Sequence, residues 1–471
     1  MRWAAQLVSW VALFFAARLL TPGDYGIIAM AMIGIGLVRM VEDFGLDAIL
    51  VQDRSIDVEQ QSQLAGLIFG IGAVLCALFV AAAQLLADFF QEPKVAFAVI
   101  GLSLLCLTDA LQVLPRALLQ RDLAFSKLAI AHFVQTVVAQ SALVVAALAG
   151  AGYLALVVNS VAGAVAITLL LFIWRPVSLR WPVNFKALAR PLKQGWRVLA
   201  TRVAYYAYNT ADQTIIGRFL GKEALGVYSF ATTFATLPQQ EIGPAVTRVV
   251  PGVFSEVQDR QEELRRYFLL LTEFLAYLML PVSAGMALTA DLFVPLFLGD
   301  QWHTVVAPLR ILCLYVAFFA SMSLVSHLML WTGQFRANMW CTFLTAALLP
   351  AAFWFSVDGG LVAIAWTWAI VYPLSNIPPL ILGFRTIRIN VWVWLAALLP
   401  AACACAAMSV AVLALRSALP PATATIGELA VSVAGGALVY CAVLWVVFRS
   451  RLLAIVDLVR GRGAARDSAR V

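Results

Sequence analysis

The chain has 471 residues, of which 63% are hydrophobic and only 12% charged, with a mean hydropathy of +0.92 and a formal net charge of +7. A soluble domain needs far more polar surface around its core, so this composition excludes a water-soluble globular protein and defines a polytopic membrane protein. Continuous apolar runs, in place of ten-residue alternation, make it all-α and exclude a transmembrane β-barrel.

A bilayer core about 30 Å thick takes about 20 apolar residues per helix, and windows of that length give about fourteen transmembrane spans. The first, roughly 3–20, reads as a retained signal-anchor, because it lacks a small-residue cleavage site and runs almost directly into the next span. The second, roughly 26–41, carries Arg39, with Glu42 and Asp43 on the same helical face. Spans three to six lie roughly at 64–86, 95–114, 128–149 and 152–174, with Asp109 and Arg116 in the fourth and His132 in the fifth. A basic stretch, Arg175 to Gly195, follows with three prolines. Span seven, roughly 196–217, holds Arg202, Tyr205, Tyr208, Asn209, Asp212 and Gln213. Span eight, roughly 226–250, contains "PQQEIGP" with Glu241 at its centre. Glu273 sits in span nine, roughly 267–290, and Arg310 and His327 in span ten, roughly 305–331. The last four, roughly 337–356, 360–384, 392–415 and 426–448, are almost free of ionisable groups. All seven cysteines fall inside spans and read as packing residues, not as disulfides or metal ligands.

Two stretches break this pattern in the same way. "ARLLTPGDYG" (Ala17 to Gly26) and "GRFLGKEALG" (Gly217 to Gly226) both read R-x-L-x5-G, matching Arg18 to Arg218, Leu20 to Leu220 and Gly26 to Gly226. "LADFF" (Leu86 to Phe90) and "TADLF" (Thr289 to Phe293) form a weaker echo. Six spans separate the copies, and an even separation gives both halves the same orientation, as in parallel repeats. The expected organisation is an N-lobe over 1–175, a linker over 176–195, a C-lobe over 196–385, two extra spans over 386–448 and a basic tail over 449–471. Two six-helix lobes related by a pseudo-two-fold axis are the architecture of an alternating-access transporter.

With both termini cytoplasmic, about 24 of the 32 Lys and Arg fall on the cytoplasmic side and about six outside, as positive-inside insertion requires. The excess charge therefore calls for no nucleic-acid partner. Every loop is short, leaving no room for a catalytic or nucleotide-binding domain. "GRFLGKE" lacks the spacing and the Ser/Thr of a phosphate loop, and the chain shows no HExxH, CxxC or Ser-His-Asp pattern. The expectation is a non-enzyme with neither cofactor nor metal. Each intramembrane charge costs several kcal/mol unless paired or wet, and most lie in spans one to ten, as a polar lining between two lobes would place them. Tyr205 and Tyr208 of "YYAY" share one side, where their rings either stack on sugars or pack.

"ARLLTPGDYGIIAMA", "VEDFGLDAILVQ", "RALLQRDLAFSKLA", "NTADQTIIGRFLGKEALGVYS" and "FLGDQWHTVVAPLRIL" resemble the polysaccharide-transporter branch, the Wzx-type flippases, of the multidrug/oligosaccharidyl-lipid/polysaccharide exporter superfamily. The likeness runs from about residue 11 to 385. "ADQ" at Ala211 to Gln213 stands where the family often has ADN, and "VPGVFSEVQ" replaces FPAFSRLQ. The resemblance implies a bacterial inner-membrane flippase for undecaprenyl-diphosphate-linked oligosaccharide, serving O-antigen, capsule or exopolysaccharide synthesis beside polymerase and assembly partners. A drug antiporter of the same superfamily, or a non-transporting scaffold, is the alternative. A diphosphate carries about two negative charges, which bidentate arginines in a wet cavity can compensate. Arg18 and Arg218 at the span ends, with Arg39, Arg202 and Arg310 deeper, are the candidates. Asp109, Asp212, Glu241 and Glu273 are the carboxylates eligible to couple transport to H⁺ or Na⁺.

Overall fold

The computed structural model describes residues 2–43, 57–181, 203, 205–257, 260–418, 425–449 and 451. Regular structure among them is helical throughout. Nine helical stretches of the described residues are long and apolar enough to cross a bilayer, and a further helix pair at the N-terminus is bent by 119°. The figure of fourteen spans is a count of sequence windows.

Contacts divide the chain into two compact units, Met1–Ser229 and Phe230–Val471. The first contains α1 (Arg2–Leu19), α2 (Pro22–Asp43), α3 (Val58–Ala81), α4 (Ala83–Phe90), α5 (Lys94–Arg121), α6 (Phe125–Leu148), α7 (Leu154–Trp174), α8 (Ala211–Phe219) and the start of α9 (Gly221–Val257). The bend between α1 and α2 has a local cause. The Thr21 hydroxyl receives the Asp24 N–H at 3.3 Å while Asp24 Oδ2 receives the Thr21 N–H at 2.9 Å, a reciprocal cap. Pro22 occupies the first helical position, where a missing N–H costs nothing.

Helix α5 is the hub, packed on α2, α3 and α7, while α6 lies against α1 and α7. Lipid is as apolar as leucine, so helices associate through close packing of small residues and satisfied polar groups. Ala98, Ser103 and Ala110 line the buried side of α5. From this helix Gln112 donates across to Thr168 Oγ1 of α7 at 3.0 Å, and Arg116 of α5 itself donates to Gln112 Oε1 at 2.7 Å. The start of the linker is docked on α3: the Arg180 N–H donates to the Ser62 carbonyl at 3.1 Å. Gly66 makes this possible, since a Cβ there would lie 2.0 Å from the Arg180 carbonyl oxygen. The linker beyond Trp181 lies outside the described residues.

The second unit holds the rest of α9, then α10 (Gln261–Phe297), α11 (Val306–Trp331), α12 (Phe335–Ser356), α13 (Gly360–Ser375), α14 (Ile377–Thr386), α15 (Val391–Ala418) and α16 (Ile426–Val447). Here α10 is the hub, contacting α11, α15 and α16. Leu264, Phe268 and Leu271 meet Leu328, Phe384 and Trp394 in one core. Further along α10, Ala276 and Tyr277 meet Ala401, Met408 and Tyr440 in another. The two spans expected beyond the repeats, α15 and α16, thus pack directly on the hub. Cys106, Cys313, Cys341 and Cys405 are buried in this helix packing.

Candidate functional site

The repeated motif brings its two copies together. A Cβ on Gly26 would sit 1.8 Å from the Lys222 carbonyl oxygen, and a Cβ on Gly226 would sit 1.8 Å from the Pro22 carbonyl oxygen. Pro22 and Lys222 each stand four residues before their own glycine, so the contact is reciprocal. Position by position, it has the form of a two-fold interface. The first turns of α2 and α9 cross with backbone against backbone. The second α-hydrogen of each glycine faces a carbonyl oxygen of the other helix.

Charged and aromatic groups surround this crossing. Lys222 Nζ reaches Glu92 Oε2 at 2.7 Å, with both side chains largely buried. The hydrogen bond it donates to Glu92 raises the lysine above its ordinary range. Arg218 donates from Nη1 to the Phe89 carbonyl at 2.7 Å, and its guanidinium lies over the Phe89 ring at 5.6 Å. Lys94 lies 6.0 Å from the centre of the Tyr153 ring. The "LADFF" echo therefore buttresses the second copy of the repeat.

Two of the candidate carboxylates are buried, and each is held by a tyrosine. Asp212, 2% exposed, accepts from Tyr228 Oη at 2.7 Å and from the Gln213 N–H at 2.7 Å. Glu273, 6% exposed, accepts from Tyr277 Oη at 2.6 Å and has Arg451 Nη1 at 3.8 Å. Tyr440 Oη donates to the Tyr277 carbonyl at 3.0 Å and completes that group. Asp109 and Glu241 are half-buried.

Arg310 is not deep. It lies in the second turn of α11, where Asp291 receives it at 2.8 Å and also takes Arg416 at 2.6 Å. The sequence window located its helix but not the carboxylate at the end of the preceding one. Arg18 is in the last turn of α1 and exposed. Arg39 lies in α2 and its side chain is outside the described residues, as is all of Arg202. Tyr205 and Tyr208 meet edge to face at 5.3 Å, with Tyr205 half exposed. The ring that engages α2 is Tyr206, whose hydroxyl donates to the Ile33 carbonyl at 2.9 Å. Glu92, Lys222, Tyr206, Tyr228, Tyr277, Asp291 and Arg416 were not anticipated. Glu92 and Asp291 carried a signal through their place beside or within the echo, Lys222 through the repeat itself, Tyr206 through "YYAY" and Tyr228 through the family stretch that ends at Ser229.

Helical hubs, a reciprocally packed repeat and helices long and apolar enough to cross a bilayer define an all-α polytopic membrane protein with a two-lobe fold. The inward closed conformation of the lipid II flippase MurJ has this fold, with a TM-score of 0.74 over 95% of this chain and 99% of that one, at 12% identity. Residues 15–307 match the polysaccharide biosynthesis protein family, and the chain belongs to it. It is similar to the lipopolysaccharide biosynthesis protein WzxC of Escherichia coli (strain K12), 29% identical over 63% of this chain and 61% of that protein. It is also similar to the teichuronic acid biosynthesis protein TuaB of Bacillus subtilis (strain 168), 26% identical over 71% and 70%. The chain thus spans about three fifths of the length of WzxC.

Proposed function

We propose that this chain moves a lipid-linked oligosaccharide across a bacterial inner membrane by alternating access, as one step in making a surface polysaccharide. The observation that carries the reading is the reciprocal contact of Gly26 and Gly226. Equivalent first turns of two repeat copies close on each other, as the closed end of a pseudo-symmetric carrier requires. Membership of the polysaccharide biosynthesis family supports a glycan substrate, and the resemblance implies that it is carried on lipid through a diphosphate. In this reading the lobes are 1–175 and 196–385, the termini are cytoplasmic, and the α2–α9 crossing seals the external end.

Arginines compensate the diphosphate while the isoprenoid stays in lipid, since an unpaired dianion in hydrocarbon is prohibitive. Arg39 and Arg202 serve inside, and Arg18 and Arg218 face the path when the crossing opens. Asp212 and Glu273 are the carboxylates best buried to change protonation with the cycle. H⁺ or Na⁺ is the driving ion in this scheme.

Deletion of the gene tests the reading. Lipid-linked oligosaccharide should accumulate on the cytoplasmic face, and reconstituted protein should restore its translocation in proteoliposomes. Sensitivity to drugs with normal glycan export would favour a small-molecule antiporter. Loss of a synthesis complex with normal translocation would favour a scaffold.

A further inference from the structure

Three helix ends of the second unit are tied at Thr386. Gln261 Nε2 donates to the Thr386 carbonyl at 2.9 Å, and Gln334 Nε2 donates to its hydroxyl. Gly333, at φ +76°, makes the turn that sets α12 beside the end of α14. These ends frame an open cavity of about 790 Å³, lined by Gln334, Phe335, Arg336, Leu382, Arg385 and Thr386 among others.

Arg336 and Arg385 are both exposed, and neither has an acidic partner among the described residues. Arg260, Arg310, Arg416 and Arg451 of the same unit each face a carboxylate. Above the cavity, Phe335, Met339, Trp340, Phe343 and Leu344 form an exposed apolar face of α12 at helical spacing. The end of the unit that carries the cavity also carries Arg260, Arg265, Arg266, Arg388, Arg449 and Arg451, against Arg310 and Arg416 at the other end. Such asymmetry marks the cytoplasmic side.

We propose that this cavity binds the phosphodiester headgroup of an anionic phospholipid from the cytoplasmic leaflet, with its acyl chains along the apolar face of α12. Paired guanidiniums match phosphate oxygens in a bidentate way. Basic pockets between helices on the cytoplasmic side select anionic headgroups in this manner. The volume exceeds what a lone phosphate fills, and the apolar wall of Phe335 and Leu382 gains nothing from a free ion. The proposal needs only the side of the membrane and not the transport reading.

The experiment is native mass spectrometry of the full-length protein in detergent, titrated with phosphatidylglycerol or with phosphatidylcholine of the same acyl chains. The expected result is a retained phosphatidylglycerol adduct at least tenfold tighter than the phosphatidylcholine one, and lost in R336Q/R385Q. The control R265Q/R266Q should keep it. If the double variant folds poorly, R336Q and R385Q singly should each weaken retention several-fold. Equal retention of the two lipids, or unchanged retention in both single variants, would overturn the proposal. So would displacement of the lipid by millimolar inorganic phosphate, which would make the site one for a free anion.

Discussion

"LADFF" and "TADLF" begin as near-copies and do different work in the two units. In the first, Asp88 is exposed and its carboxylate accepts from Gln84 of its own helix, at 2.9 Å, while the neighbouring Phe89 carbonyl receives Arg218. In the second, Asp291 is half-buried and receives both Arg310 and Arg416. Through Arg310 it links α10 to α11, and through Arg416, which also faces Glu428 at 3.6 Å, to α15 and α16. The backbone position of the echo is shared, but its carboxylate serves whatever packs beside it. Only the second unit has an α15–α16 pair to hold. The R-x-L-x5-G repeat shows the opposite behaviour, because its two glycines are used identically and against each other. A position that meets its own symmetry mate must stay the same in both copies, whereas one that meets a different neighbour can diverge.

The sharpest way to break this contrast is at the glycines. In Gly26→Ala or Gly226→Ala the new methyl meets backbone carbonyl, which no side-chain rotamer relieves. Each should cost about 3 kcal/mol, at the upper end of ordinary overpacking. Unfolding midpoints in detergent should fall by similar amounts for both. The double variant should cost less than the sum, because one separation of the helices relieves both clashes. Gly285→Ala, with open space around its Cβ position, should leave the midpoint unchanged or raise it. Clearly unequal effects at 26 and 226 would end the claim of reciprocity.

The two aspartates should differ where the glycines agree. Asp291→Asn leaves two guanidiniums facing one amide and should cost about 2 kcal/mol, reduced from a fully buried pair by the partial exposure of all three groups. Asp88→Asn should stay within about 0.5 kcal/mol, as a surface substitution does. Similar losses at both positions would mean that the echo has one shared role after all.

Much of this was legible in the chain itself, and the failures have physical causes. Apolar runs located the helices because bilayer thickness imposes their length. The repeat was visible as letters, but its meaning depends on which backbones touch, and no local pattern encodes that. Tyr205 and Tyr208 do meet, as their spacing implies. Yet Tyr206 is the residue facing α2, because the polar groups along a span do not say which of its faces meets a given neighbour. Asp212 and Glu273 stood out as intramembrane acids. Their tyrosine partners did not, since a tyrosine within a span is unremarkable until its hydroxyl finds an acceptor. Arg310 was placed too deep for the same reason that Asp291 was overlooked: helix ends come together in space, not in sequence.

The ion pair beside the crossing should have a smaller effect. Glu92→Gln and Lys222→Met should each cost about 1 kcal/mol, and a double-mutant cycle should return a coupling of that size. The pair raises the lysine in the folded state, so its stabilisation is complete below the unfolded lysine value of about 10.4 and is lost as pH rises through the folded one. Parent and Lys222→Met should therefore differ at pH 7 and converge only in strong alkali. Convergence already near pH 8 would assign the stabilisation to another group.

The smallest effect on stability should come from Arg218→Lys, and it bears most directly on function. A lysine can still donate to the Phe89 carbonyl, but it loses the planar stack on the Phe89 ring, worth about 0.5 kcal/mol at a partly exposed site. If Arg218 only fastens the closed end, translocation should survive that loss, and Arg18→Lys should behave in the same way. A role on the diphosphate predicts a different pattern. The bidentate fork is what a phosphate recognises, so transport should fall in the lysine variants nearly as far as in Arg18→Ala and Arg218→Ala, although the lysine proteins remain folded. The two readings thus diverge in the ratio of lysine to alanine activity at nearly constant stability. Parental activity in both lysine variants would leave the repeated arginine with packing alone, beside glycines whose contact is backbone against backbone.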